Sequence, residues 1–170
     1  MSREESALAA VQALIPDDTI LDVALTYPRG YTRAQAAGGL LGGAVGAGGD
    51  FVGVGLALGS VVGGKLFGNL KDLPPSIVLA VSPTAVYTLG RPSAAVVGHW
   101  DNLTPMVQFD RSTLHVDVQQ HAVTLDITLT DTEHAVSLPV EAKRMGSLDA
   151  KAFVELLTSS LGDAEDQTAP

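Results

Sequence analysis

Thirteen of the eighteen glycines in this chain lie between Gly38 and Gly68. They recur every fourth residue, as Gly38, Gly42 and Gly46 and again as Gly55, Gly59 and Gly63. On a helix, residues four apart share one face, so each set forms a stripe that another backbone can approach closely. Each glycine costs about 0.8–1 kcal/mol of helix propensity relative to alanine. A helix this rich in glycine therefore needs close packing or a lipid environment to offset the loss. From Ala34 to Gly64 the one charge is Asp50, and Leu, Val and Phe stand between the glycines. That is too apolar for a solvated linker. A single helix over this stretch would overrun a hydrocarbon core of ~30 Å. It would also hold Asp50 at mid-membrane, at a cost of roughly 2.5–3.5 kcal/mol. The spacing predicts instead a helical hairpin over 34–70, folded back at Gly48-Gly49-Asp50. Its candidate residues for self-association or membrane contact are Gly38, Gly42, Gly46, Gly55, Gly59 and Gly63.

Two nucleotide motifs are approached here and missed. Gly59-Ser60-Val61-Val62-Gly63-Gly64-Lys65 matches a phosphate loop until Leu66, where a hydroxyl for Mg²⁺ is required. Gly53-Val54-Gly55 begins a dinucleotide fingerprint, but Leu58 takes the place of its third glycine. No cofactor is expected.

The flanks follow different rules. Ser2 and Glu5 are spaced as a capping box, Leu8, Val11, Leu14 and Ile15 keep helical spacing, and Pro16 ends the run. Leu21, Val23, Leu25 and Tyr27 then alternate as in a strand, before the turn Pro28-Arg29-Gly30. Residues 1–33 thus form an N-terminal helix and a short strand. Pro74-Pro75 favours extended backbone and marks a boundary.

Beyond it, short apolar runs alternate with turn residues. Strands are expected at 77–81, 85–89, 96–100, 106–109, 114–118, 122–130 and 134–140, the pattern of a β-barrel or sandwich. Val123, Leu125, Ile127 and Leu129 form an inward row. A closing helix follows, with Ser147 as N-cap, Asp149 in its first turn, and Phe153, Leu156, Leu157 and Leu161 as its apolar stripe. Gly162 suits its stop. Asp163, Glu165 and Asp166 lie in an acidic tail, 162–170, read as disordered.

Charge excludes several functions. Ten basic and nineteen acidic residues give a net charge of −9, which repels phosphate backbones, so no nucleic-acid partner is expected. There is no cysteine, hence no disulfide, thiolate metal site or cysteine nucleophile. The polar start, Met-Ser-Arg-Glu-Glu-Ser, has no apolar signal core, and the expected location is cytoplasmic, with membrane association through the hairpin as the variant. His99 with Asp101, and His115 with Asp117, share one strand face at a spacing of two. They are the best candidates for a metal or a proton relay. No compact ligand motif joins them, so neither catalytic nor metal residues are assigned.

Ile77-Val78-Leu79-Ala80-Val81-Ser82 leading to Val86-Tyr87-Thr88-Leu89, the acidic hairpin Asp131–Leu138 and the helix around Phe153-Val154-Glu155-Leu156-Leu157 resemble the PH-like or GRAM-like fold. The resemblance covers residues 76–161. It implies an α+β chain: a glycine-rich helical hairpin followed by a seven-stranded β-barrel or sandwich capped by a C-terminal helix. A glycine-zipper hairpin ahead of such a domain is also similar to uncharacterised actinobacterial proteins. Lipid-binding members carry a basic cluster at the first hairpin; the turn expected there, Ser82-Pro83-Thr84, is uncharged.

A fold of this kind does not fix a function. The expected function is a non-enzymatic interaction module. The hairpin would drive homo-oligomerisation or peripheral membrane attachment, and the β-domain would bind a protein partner. The alternative is a carrier for a small apolar ligand or lipid.

Overall fold

Ser2 opens the first helix by accepting from the Glu5 amide at 3.1 Å, while its own amide donates to Glu5 Oε2 at 2.6 Å. This is the expected capping box, and it starts α1 (Arg3–Leu14). The computed structural model describes residues 2–30, 73–91, 100–144, 148 and 150–165. The expected hairpin and all six of its candidate glycines lie outside the described residues. So does the N-cap expected at Ser147.

Seven antiparallel strands follow one another in a single open sheet: β1 (Asp22–Pro28), β2 (Ser76–Val81), β3 (Ala85–Arg91), β4 (Thr104–Asp110), β5 (Leu114–Gln120), β6 (Thr124–Asp131) and β7 (Val136–Lys143). Their spatial order is β4-β3-β2-β1-β7-β6-β5. The last helix, α2 (Ala150–Glu165), comes after them. The architecture is therefore α+β, as expected, but the sheet is open.

The expected count of seven strands placed all of them after residue 76. The sheet instead takes its central strand from the N-terminal segment. Val23, Ala24, Leu25 and Thr26 pair with Ala80, Leu79, Val78 and Ile77 on one side, and Thr26–Pro28 pair with Ala142–Val140 on the other. The physical reason is visible in β1 itself. Val23 and Ala24 point to opposite faces and both are buried, as a strand covered on both faces requires. The strand expected at 96–100 falls mostly outside the described residues, and its last member, Trp100, is not in a strand.

Each face of the sheet carries a core. On one, Ala24, Ile77, Leu79, Phe109, Ile127, Leu129, Leu138 and Val140 pack beneath Phe153 and Leu157 of α2. On the other, Val23, Val78, Ala80 and Leu89 pack beneath Ala7 and Val11 of α1, with Trp100, Leu103 and Leu148 at the margin. Gln12 secures the descent from α1: its Nε2 donates to the Ile15 and Asp18 carbonyls, and its Oε1 accepts from the Ile20 amide. Asp18 Oδ2 accepts from Tyr87 Oη at 2.9 Å and from Thr84 Oγ1 at 3.2 Å, which ties this connection to β3.

One local feature differs from expectation. α2 runs through Gly162 to Glu165. One glycine costs only about 1 kcal/mol within a helix, and no proline follows until Pro170. Gly90, by contrast, is required by space. A Cβ there would lie 2.9 Å from Pro74 Cγ and 3.3 Å from Met106 Sδ. Pro74 thus packs on β3.

Candidate functional site

The glycine-rich segment joins β1 to β2, two neighbouring antiparallel strands. β1 ends at Pro28 and β2 begins at Ser76. The site that the fold positions for it is thus the end of the sheet where β1 stops and β2 begins.

That end is held by polar contacts between residues distant in sequence. Arg29 donates from Nη2 to Thr128 Oγ1 at 2.7 Å, and its Nε lies 3.7 Å from Asp126 Oδ2. The same Asp126 oxygen is 3.3 Å from His121 Nε2. The Gly30 amide donates to Glu141 Oε2 at 3.0 Å, and Gly30 has φ +92°, a conformation that favours glycine. Cross-strand register explains the grouping: Asp126 lies opposite Glu141, and Glu141 opposite Tyr27. The row places two carboxylates and the Tyr27 ring on one face. Lys143 Nζ stands 5.9 Å from the centre of the Tyr27 ring.

On the β2–β3 side, Ser76 lies opposite Arg91. The Arg91 guanidinium stacks over the Trp100 ring at 5.0 Å. Arg91 is 3% exposed and Glu141 4% exposed. Burial pushes the Arg91 guanidinium below its ordinary range. Charges buried so deeply are costly unless they are compensated, and this end of the sheet concentrates them. The arrangement can anchor a connection rigidly, through ion pairs and hydrogen bonds to carboxylates.

Of the two histidine pairs named from sequence, His115–Asp117 lies wholly within the described residues. His115 and Asp117 are exposed on β5, with Gln119 Nε2 3.4 Å from Asp117 Oδ1. Asp101 is exposed, and His99 lies outside the described residues. Among the described residues there is no group of three His, Asp or Glu side chains placed to hold a metal ion. No described helix is long and apolar enough to cross a membrane.

Sequence reasoning missed Arg29, Asp126, Glu141 and the Arg91–Trp100 stack. The available signal was Asp126 and Glu141 interrupting otherwise apolar or hydroxyl-bearing strands. It also missed Asp131, which organises the turn between β6 and β7. Asp131 Oδ1 accepts from the Glu133 and His134 amides, and Oδ2 lies 2.8 Å from His134 Nδ1. Burial raises the Asp131 pKa, but the hydrogen bonds from the His134 side chain and the two amides outweigh it and hold the group below 3.8. The hydrogen bond to Asp131, and then its charge, raise His134 above 6.5. The signs give a window. The His134 contribution is complete below about pH 6.5 and fades as pH rises through the raised value. The Asp131 contribution is complete above about pH 3.8 and fades as pH falls through the lowered value. His134→Ala is therefore expected to destabilise the protein more at pH 5.5 than at pH 8.5, measured by urea unfolding at both. An equal loss at the two values would contradict the pairing. No protein-family model and no curated protein matches the chain.

Proposed function

We propose that this chain is a non-enzymatic interaction module. A PH-like β-domain binds a protein partner, and the glycine-rich segment mediates self-association or peripheral membrane attachment. The observation that carries the reading is the rooting of that segment. Its two ends are fixed side by side on neighbouring strands at the middle of a seven-stranded sheet, and Arg29, Gly30 and Glu141 brace the exit. A long apolar excursion that returns to its starting point suits a hairpin projecting from a rigid body. Its regular glycines suit close backbone contact with another copy or with lipid.

The PH-like part of the reading is supported by the strand order. β1–β4 and β5–β7 are two antiparallel meanders joined by the β1–β7 pair, and a helix follows the last strand. Protein binding is supported by β5, at one edge of the sheet, which presents His115, Asp117 and Gln119 to solvent.

The test is excision. Replacing residues 31–72 with a short Gly-Asn-containing turn should keep the β-rich circular dichroism of the parent, because β1 and β2 are already neighbours. The parent should assemble into a larger species than the excised chain in sedimentation velocity, or float with zwitterionic phospholipid vesicles where the excised chain does not. A parent that assembles no further than the excised chain and does not float would end the proposal.

A further inference from the structure

The two edges of the sheet are not equivalent. β4 carries Pro105, and its pairing with β3 slips between Tyr87 and Leu89. Proline and irregularity both blunt an edge against further pairing. β5 has neither. Its seven residues, Leu114–Gln120, pair with β6 in unbroken register and include no proline and no lysine.

The direction of its backbone groups follows from the bonds at its two ends. The His121 amide donates to the Thr124 carbonyl, and the Thr132 amide to the Thr113 carbonyl. These are hydrogen-bonded pairs of the β5–β6 ladder. In an antiparallel ladder such pairs alternate, so His115, Asp117 and Gln119 direct their N–H and C=O toward β6. Leu114, Val116, Val118 and Gln120 direct theirs outward, over an edge to which no strand among the described residues pairs.

We infer that β5 pairs antiparallel with β5 of a second copy, with Val116 opposite Val116 and His115 of each copy opposite Asp117 of the other. A two-fold axis perpendicular to the sheet keeps each face continuous, so only residues of the same face can stand opposite one another. Centring on Asp117 sets two carboxylates directly opposite, at the non-hydrogen-bonded positions where side chains come closest. Centring on Val116 replaces that repulsion with two histidine–aspartate contacts and sets Leu114 opposite Val118 twice. The occupant is a second copy because the side-chain pattern about Val116 is complementary to itself: an imidazole meets a carboxylate on each side of the axis. This surface is separate from the glycine-rich segment, and the inference stands whether or not that segment associates.

The test uses the full chain, which has no native cysteine. A Val116→Cys variant should form a covalent dimer under mild oxidation, since the Cα atoms of a hydrogen-bonded pair are about 5.5 Å apart, within disulfide reach. Adding His115→Glu should weaken the association about tenfold in sedimentation velocity and suppress the cross-link, because each of the two imidazole–carboxylate contacts becomes a pair of opposed carboxylates. The exchange His115→Asp with Asp117→His should restore both. Failure of Val116→Cys to cross-link, or a cross-link indifferent to His115→Glu, would overturn the inference. Neither outcome depends on the glycines, so failure here leaves the functional proposal standing.

Discussion

Replacing Phe153 with alanine is expected to lower the unfolding free energy by about 3–5 kcal/mol. Phe153 is fully buried and sits with Leu157 and Ala150 over the larger of the two cores. These three are the fully covered residues among those of α2 whose side chains are described. Without the ring, Leu79, Ile127, Leu129 and Leu138 would face a cavity that a rigid sheet cannot close. A domain of this size has about 5–15 kcal/mol in total. The variant should therefore be marginal at 37 °C, with a urea midpoint far below the parent's. Phe153→Leu fills most of the space and should lose much less. An unchanged midpoint for Phe153→Ala would mean that α2 does not cover the sheet.

Deleting residues 1–30 should have a larger effect still: loss of cooperative folding. β1 pairs with β2 through Asp22–Thr26 and with β7 through Thr26–Pro28. Without it the sheet divides into β2–β4 and β5–β7, and Val78, Ala80 and Leu89 lose α1. Thr26 makes the junction especially tight, since its hydroxyl donates to the Ile77 carbonyl at 2.9 Å inside the sheet. The measurement is thermal unfolding of residues 31–170 by circular dichroism, with a featureless melt expected. A cooperative transition would show that the later strands suffice.

Much of the local structure was legible in the sequence, and for local reasons. Ser2, Glu5 and Pro16 fix the limits of α1 within a few residues. The alternation of Leu125, Ile127 and Leu129 announces β6, although Val123, expected in the same inward row, is exposed in the turn before it; the spacing of Phe153 and Leu157 announces the covering face of α2. What was not legible is long-range. Nothing near Val23 names Ala80 as its neighbour, and Arg29 meets Thr128 across 99 positions. Pro74-Pro75 reads as a boundary because prolines end ordered segments. In the fold the pair stands just ahead of β2, where a strand tolerates proline, and Pro74 packs on Gly90. The first hairpin turn was accordingly placed at 82–84. The β1–β2 connection is the glycine-rich segment, and 82–84 joins β2 to β3. For the candidate site, the glycine spacing was evident from the start. The residues that brace its root were not, because Asp126 and Glu141 become neighbours of Arg29 and Gly30 only through strand register.

The strand from the N-terminal segment, wedged between two three-stranded halves, holds the molecule together and gives the long insertion its footing. Hydrogen exchange on the intact chain reads this without altering a residue. The Val23–Thr26 amides should exchange as slowly as those of Leu138–Ala142, through global opening alone. Exchange of those four amides at the rate of a frayed terminus, with β7 still protected, would contradict the account.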